Sequence, residues 1–141
     1  MTNEELIGIA KQAREKASVE ISGFKVGAAL LTKCGEVIPG CNIEDPSGIG
    51  ITNICAERCA LVKAISEGYR DFERIAVVGG YVSEEGEDEL IFCAPCGACR
   101  QYINSWCPNI KVIMQDNNGK INEHDMSELL PYSYNEKFIY N

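Results

Sequence analysis

The pattern of hydrophobic and polar positions divides the chain into alternating helices and strands. Apolar residues at helical spacing predict two longer helices, at residues 4–17 and 55–67. A third, shorter helix is predicted at residues 97–106. Apolar extended runs predict four strands: residues 26–32, 36–44, 74–79 and 111–115. Strands that alternate with helices of this length are typical of an α/β sandwich around a central sheet, with its first strands antiparallel and its later ones parallel.

The remaining segments are polar or rich in turn-forming residues. Proline and glycines predict a loop at 45–54, and an acidic stretch predicts a surface loop at 84–89. A turn is predicted at 116–119, followed by a helix start at 125–128. The first helix carries an apolar stripe that predicts its buried face: Leu6, Ile9, Ala10, Ala13 and Ala17.

Length and charge limit the possible partners. With 141 residues, 45% of them hydrophobic, and no linker or repeat, we expect a single domain over residues 1–141. The 13 basic and 21 acidic residues give a formal charge of −8 without a basic run, which disfavours a nucleic acid partner. The N-terminal segment is acidic and no run reaches the roughly 18 apolar residues of a membrane span. We therefore expect a cytoplasmic protein without a membrane partner.

Eight cysteines are many for a reducing compartment, where a disulfide framework is not expected. Four of them are expected to be small buried hydrophobes: Cys34, Cys41, Cys59 and Cys107. Cys96 and Cys99 form a C-x-x-C pair at the start of the third predicted helix. Taken alone, this spacing fits a metal half-site, a redox pair or a chance occurrence.

Cys55 begins the second predicted helix, far upstream of the C-x-x-C pair. It joins Cys96 and Cys99 only if two helix N-termini converge, an arrangement that lowers thiol pKa values and favours thiolates. Three thiolates around zinc leave a fourth tetrahedral position for water, as in catalytic rather than structural sites. Glu57 shares the helix start with Cys55 and is the candidate general base and acid.

Cys55-Ala-Glu57 and the Pro-Cys-Gly-Ala-Cys run at 95–99 resemble the zinc-deaminase signature, with cysteine in place of histidine. Nearly the whole chain resembles the small homotetrameric cytidine deaminases. The blocks that carry this resemblance occur in the order of the family: FKVGAAL (24–30), GCNIE (40–44), CAER (55–58), PCGACRQ (95–101) and ELLP (128–131). The resemblance implies a three-layer α/β/α sandwich around a central mixed five-stranded sheet.

The resemblance also implies a reaction and a cofactor. One Zn²⁺ per chain would be held by the three cysteines, and cytidine or deoxycytidine would be hydrolysed to uridine or deoxyuridine and ammonia, a step of pyrimidine salvage. Glu57 would move protons from the attacking water to N3 of the pyrimidine and to the leaving amine. Arg58 would hydrogen-bond the thiolates and offset their negative charge. Without the resemblance, Arg58 also fits an ordinary exposed helix charge.

The same resemblance assigns the substrate contacts. Phe24 would pack on the pyrimidine, and the backbone N–H of Ala56 would bind the base carbonyl. Asn42 and Glu44, two apart on one side of a strand, would hold the ribose. Tyr134 would reach the site of a neighbouring subunit, so the active sites of a homotetramer would be completed between subunits. Without the resemblance, Phe24 also fits a core position and the Asn42–Glu44 pair a solvent-facing strand end.

Three alternatives remain at this point. A blasticidin S deaminase-like enzyme would use the same metal chemistry on a modified cytosine nucleoside, whose positively charged tail would suit an acidic rim. The acidic segment 81–93 is extended relative to the family, and it either covers the metal face or lies in solvent. A non-catalytic zinc-binding interaction module would need a fourth protein ligand. A thiol-redox protein would need neither Cys55 nor Glu57.

Overall fold

The structure, a computed structural model, describes residues 1–134. Its helices are α1 (Asn3–Arg14), α2 (Ala56–Ser66), α3 (Gly97–Trp106) and the short α4 (Met126–Leu129). Its strands are β1 (Phe24–Thr32), β2 (Val37–Cys41), β3 (Phe72–Tyr81), β4 (Glu89–Ile91), β5 (Lys111–Gln115) and β6 (Ile121–Asp125). A 3₁₀ turn covers Gly50–Thr52. Within the described residues, every helix is too short or too polar to cross a lipid bilayer.

The strands form one mixed sheet in the order β2-β1-β3-β5-β6, with β4 paired to the end of β3. The β3–β5 pair is parallel, whereas β1–β2, β1–β3, β3–β4 and β5–β6 are antiparallel. The prediction of an α/β sandwich with a mixed sheet is therefore confirmed. The sheet has six strands rather than five, and its last strand pair is antiparallel.

The two strands that periodicity did not mark are short or polar. β6 has the sequence Ile-Asn-Glu-His-Asp and forms an edge of the sheet, where solvent can satisfy polar side chains. β4 has three residues and begins at the end of the acidic segment that was predicted as a loop. Because neither segment alternates apolar and polar residues, the pattern alone does not identify it as a strand.

Alternate residues of β1 face opposite sides of the sheet and divide the core into two clusters. Ala29 and Leu31 pack with residues of α1, whereas Ala28 and Leu30 pack with residues of α2 and α3. Helices thus cover both faces of the sheet, as a three-layer sandwich requires. Gly68, with φ of 99°, follows the end of α2 as predicted.

Helix α1 buries a stripe that differs from the predicted one. Its buried residues are Leu6, Ile7, Ala10 and Arg14, and the helix ends at Arg14 rather than at residue 17. Ile9, Ala13 and Ala17 are only half-buried. Beyond the end of the helix the chain turns, and Ser18 forms a bridge to Ile43. The buried face thus includes the charged residue Arg14, whereas the pattern predicts the alanines at 13 and 17 there.

Two glycines let the helices approach the sheet until backbones touch. A Cβ atom at Gly27 would overlap the carbonyl oxygen of Ala10 in α1. A Cβ atom at Gly40 would lie 2.5 Å from the carbonyl oxygen of Ala56 and 2.6 Å from the nitrogen of Ala60, both in α2. Since backbone atoms cannot move aside as a flexible side chain can, Gly40 sets how closely the first turn of α2 approaches β2.

Candidate metal centre and active site

The starts of α2 and α3 bring three cysteines together. The Sγ atoms of Cys55, Cys96 and Cys99 all lie within 4.8 Å of one another, and Cys55 Sγ is 3.8 Å from Cys96 Sγ. Tetrahedral coordination with Zn–S bonds of about 2.3 Å separates neighbouring sulfurs by about 3.8 Å, so this donor set fits zinc. The two helix starts converge as the sequence predicts.

The helix starts also favour negative charge. Cys55 is the N-cap residue of α2 and Cys96 that of α3, each with an extended backbone and without a side-chain cap. The first N–H groups of a helix have no carbonyl partner within it, and the aligned peptide dipoles add partial positive charge there. Both effects stabilise thiolates at these positions.

The thiols differ in how readily they lose a proton. A hydrogen bond from Cys99 lowers the pKa of Cys55 to about 5, and Arg58 and Cys96 act in the same direction. The same hydrogen bond raises the pKa of Cys99, whose side chain is fully buried. Of these two thiols, Cys55 therefore loses its proton more readily, and metal binding would release the proton of Cys99.

Arg58 directs its guanidinium to the thiols from the first turn of α2. Its Nη2 donates to Cys55 Sγ at 3.6 Å and to the carbonyl oxygen of Asn53 at 3.3 Å. Its Nε is buried and has no partner among the described residues. The structure thus places a cation beside the sulfurs, and the exposed-helix interpretation of Arg58 does not fit this contact.

Glu57 is a buried carboxyl beside the sulfur cluster, with 3% of its surface exposed. Burial raises its pKa to about 7, and the charge on Cys55 adds to this effect, while the backbone N–H of Glu57 and the Cys99 thiol oppose it. A carboxyl with this pKa can hold or release a proton near neutral pH. Among the described residues, the group that could hold a metal ion consists of the three cysteine sulfurs. Glu57 is not part of this group.

Phe24 is connected to this centre by neighbouring side chains. Its ring meets Tyr81 edge to face, with centroids 4.9 Å apart. A Cβ atom at Gly79 would lie 3.0 Å from Phe24 Cε1 and 2.8 Å from Cys93 Sγ, so both side chains border the same glycine. Burial, and after it the charge of Glu57, raises the pKa of Cys93 to about 12. Cys93 is thus close to Phe24 and within electrostatic reach of the buried carboxyl.

Asn42 lies just beyond the end of β2. Its Oδ1 accepts a hydrogen bond from the nitrogen of Val26 at 2.8 Å, and its Nδ2 donates to the carbonyl oxygen of Phe24 at 2.9 Å. The side chain therefore closes the end of β1 next to Phe24. An amide has two N–H groups and two lone pairs, so one donor and one acceptor position remain for a ligand.

Glu44 lies two residues further along the chain. Its Oε1 accepts hydrogen bonds from the nitrogen and the Oγ of Ser22, both at 3.1 Å. The predicted strand 36–44 is shorter than expected, since β2 ends at Cys41. Beyond that point Ile43 forms isolated bridges to residues 18 and 54 instead of a regular ladder.

Ala56 and Tyr134 differ in their exposure to solvent. Ala56 is the first residue of α2 and is fully buried. Tyr134 has 65% of its surface exposed, and its carbonyl oxygen accepts a hydrogen bond from Gln101 of α3 at 3.3 Å. The ring of Tyr134 is therefore accessible to contacts from outside the chain.

The remaining cysteines fit their prediction only in part. Cys107 is buried, and Cys41 and Cys59 are half-buried. Cys34 is exposed and hydrogen-bonds Thr32 in the β1–β2 turn, so the prediction of burial is wrong for it. Sequence reasoning also missed the position of Cys93, whose only signal was its closeness to the C-x-x-C pair.

Comparison with known proteins gives a consistent picture. A family model described as the cytidine and deoxycytidylate deaminase zinc-binding region matches residues 1–115, which include the three cysteines and Glu57. The cytidine deaminase of Halalkalibacterium halodurans is 50% identical to this chain over 135 residues, 95% of each.

Two further proteins define how far the similarity extends. The crystal structure of cytidine deaminase from Burkholderia pseudomallei has a TM-score of 0.82 at 42% identity, covering 95% of this chain and 100% of that one. The blasticidin-S deaminase of Bacillus cereus is 35% identical over 128 residues, 89% of each chain. A family match over most of the chain and a relative identical at half of the aligned positions establish that this chain belongs to the cytidine and deoxycytidylate deaminase family.

Proposed function

We propose that this protein is a zinc-dependent cytidine deaminase that converts cytidine and deoxycytidine to uridine and deoxyuridine with release of ammonia. The observation that carries this proposal is the meeting of three cysteine sulfurs and one buried carboxyl at two helix starts. The identity to a cytidine deaminase over 95% of both chains supports the substrate class.

Cys55, Cys96 and Cys99 would hold one zinc ion per chain. When bound, zinc supplies a Lewis acid that makes water a nucleophile near neutral pH. Arg58, which contacts Cys55 Sγ, offsets part of the negative charge that three thiolates bring to the site. Because three sulfurs cluster among the described residues, the donor set leaves a position for a ligand from outside the protein.

Glu57 moves the protons of the reaction. Its carboxylate takes one proton from the attacking water and delivers it to N3 of the pyrimidine as the C4–O bond forms. It then transfers the second proton of that water to the exocyclic nitrogen, the C4–N bond breaks, and ammonia leaves. A single carboxyl can act as base and then as acid here because burial brings its pKa to about 7.

The nucleoside would be bound on the side of the site that β1 and the segment beyond β2 provide. Phe24 packs on the pyrimidine, and the N–H of Ala56 at the start of α2 binds the base carbonyl. The free donor and acceptor positions of Asn42 and the carboxylate of Glu44 hold the ribose hydroxyls. A carboxylate at this place disfavours a nucleotide phosphate, so we assign nucleosides rather than nucleotides.

The protein is further proposed to act as a cytoplasmic homotetramer in pyrimidine salvage, with one domain per chain and without a nucleic acid or membrane partner. A group of exposed apolar side chains in one loop supports an oligomer, since Ile49, Ile51 and Ile54 are 54%, 92% and 41% exposed. Tyr134 would complete the site of a neighbouring subunit. Native mass spectrometry tests the tetramer, and a monomer at micromolar concentration would contradict it.

The ultraviolet absorbance of cytidine tests the proposed activity. Purified protein with one bound zinc per chain should consume cytidine, and Glu57→Gln should lower kcat by about 10²- to 10⁴-fold without loss of zinc. Glu67→Gln, at the exposed end of the same helix, is the matched control and should leave kcat unchanged. Turnover of blasticidin S but not of cytidine would favour that alternative. No turnover of either substrate would favour a zinc-binding interaction module.

A further inference from the structure

Arg14 is a buried arginine that joins three parts of the molecule. Its Nε donates to the carbonyl oxygen of Lys25 at 2.9 Å and its Nη2 to that of Gly80 at 2.6 Å. Its Nη1 pairs with Asp88 Oδ2 at 2.9 Å. The side chain of Arg14 is 7% exposed and that of Asp88 26%. One guanidinium thus connects α1 to β1, to β3 and to the segment between β3 and β4.

The two carbonyl groups that Arg14 binds belong to facing residues of the sheet. Lys25 pairs with Gly80, and the next pair along the two strands is Phe24 with Tyr81. The rings of this next pair are in edge-to-face contact. Arg14 therefore fixes both backbones one residue away from the aromatic side chain that is proposed to pack on the pyrimidine.

The third contact of Arg14 orders the acidic segment. Asp88 Oδ1 accepts a hydrogen bond from the nitrogen of Ser83 at 2.7 Å, so Asp88 closes residues 83–88 into a loop while Oδ2 binds Arg14. Immediately after this loop, β4 pairs with the end of β3 and leads the chain to Cys93. Cys93 borders Gly79 together with Phe24.

We propose that Arg14, together with Asp88, is a positioning residue that holds Phe24 and the 81–93 segment in place to bind the pyrimidine. This inference rests on the proposed function, in which Phe24 contacts the base. Arg14 touches neither the sulfurs nor Glu57 in any hydrogen bond of the described structure, so its effect is on substrate binding rather than on metal binding. Through β4 and Cys93, the acidic segment accordingly supports the strand end that carries Phe24, and the first helix anchors this segment.

Arginine is required at this position for a geometric reason. The planar guanidinium directs its N–H groups along three directions to two carbonyl oxygens and one carboxylate. A lysine keeps the charge but has a single nitrogen on a flexible stem, so it cannot hold the three acceptors at once. Arg14→Lys therefore separates the geometric role from the charge.

Arg74 provides a matched control. It also joins β3 to the helix α1 region, through Nη1 to Asn3 Oδ1 at 2.7 Å and Nη2 to the carbonyl oxygen of Met1 at 2.6 Å. It lies at the opposite end of β3, paired with Leu31 rather than near Phe24. Arg74→Lys weakens the same helix–sheet junction without touching the base pocket.

The test compares the parent, Arg14→Lys and Arg74→Lys in cytidine turnover, zinc content and Tm. We expect Arg14→Lys to raise KM for cytidine about tenfold with kcat within about threefold, the pattern of lost binding rather than lost chemistry. Zinc content should stay at one per chain in all three proteins. Both variants should lower Tm, because each weakens a contact between the α1 region and the sheet. Arg74→Lys should nevertheless keep KM within about twofold of the parent. Equal KM values for the two variants would overturn the inference.

Two further measurements keep this test independent of folding and of the proposed activity. Binding of uridine, measured by calorimetry, should weaken about tenfold in Arg14→Lys, without any turnover being needed. Asp88→Ala, which changes a loop residue, should raise KM about threefold, and its effect should not add to that of Arg14→Lys. An unchanged KM in Asp88→Ala would overturn the role of the loop. A parent protein without cytidine turnover would instead contradict the proposed function.

Discussion

The two sides of the candidate site are built in different ways. The metal end, formed by Cys55, Glu57, Cys96 and Cys99, lies at the starts of two helices that pack into the core; Cys99 is wholly buried and Glu57 nearly so. The hairpin end, formed by residues 42–54, is held by isolated bridges and a 3₁₀ turn, and Ile51 there is 92% exposed.

This difference separates two tasks of the site. Groups that bind a metal and move protons need a geometry fixed to fractions of an ångström, which helices anchored in a core provide. Groups that hold the periphery of a substrate tolerate a segment with fewer buried contacts and lower local stability. We therefore expect substitutions at the metal end to change metal content and chemistry, and those at the hairpin end to change substrate affinity.

The largest effect is expected from Cys99→Ala at the metal end. Removing the buried sulfur leaves two thiols, so zinc should be lost on dialysis and activity should fall by more than about 100-fold, the upper end for residues that only orient a metal ligand. Cys107→Ala is the matched control, since Cys107 is also buried but lies outside the cluster. Metal analysis and turnover should show zinc and activity retained there; zinc retention in Cys99→Ala would refute its role as a ligand.

Gly40→Ala should have the next largest effect, on the position of the metal end itself. The new methyl group would lie 2.5 Å from the carbonyl oxygen of Ala56, so α2 must shift, at a cost of about 1–3 kcal/mol in the free energy of unfolding. Gly8→Ala in α1, where nothing lies within 4 Å of the added Cβ, should be neutral or stabilising. Urea unfolding measures both, and equal stabilities would show that the contact at Gly40 relaxes freely.

Most of the metal end can be predicted from local sequence, and so can the α/β sandwich fold. Each cysteine and Glu57 has its place relative to a helix start, and the helix starts are marked by the spacing of apolar residues that follow. The helix at Gly97–Trp106 and the strand at Lys111–Gln115 have the predicted bounds. Residue spacing alone does not show that the N-termini of α2 and α3 meet. Their meeting depends on the packing of both helices against one face of the sheet.

The contacts that sequence reasoning missed are those between distant segments. Arg14 has partners 11, 66 and 74 residues away, and no local pattern distinguishes it from a solvated helix charge. Cys93 lies outside the C-x-x-C spacing, yet packing at Gly79 brings it beside Phe24. The sequence pattern does not predict the edge strand β6, because its mostly polar side chains do not alternate with apolar ones.

A smaller effect is expected at the hairpin end from Glu44→Gln. The amide keeps an oxygen for Ser22 but loses the charge and one acceptor for the ribose, so KM for cytidine should rise about tenfold with little change in kcat. Glu36→Gln, exposed in the turn between β1 and β2, is the control and should leave KM unchanged. A fall in kcat without a change in KM would place Glu44 in the chemical step instead.

The smallest effect concerns the pH dependence of the hairpin end. Asp45 accepts hydrogen bonds from the nitrogen and Oγ of Ser47 at 2.8 and 2.6 Å and from Thr52 Oγ. These bonds, first those from Ser47, hold its pKa below the ordinary value of an aspartate. A carboxyl with a lowered pKa stabilises the folded loop fully above its ordinary pKa, and this contribution is lost as the pH falls through the lower folded value.

Hydrogen exchange of the amides in 45–54, corrected for its intrinsic pH dependence, should therefore accelerate below about pH 4. In Asp45→Asn, which cannot change its charge, the exchange of the same amides should show no such onset. If parent and variant accelerate alike, the loop is loosened by the general charging of the protein, and the hairpin end then owes its order to the bridges at Ile43 rather than to Asp45.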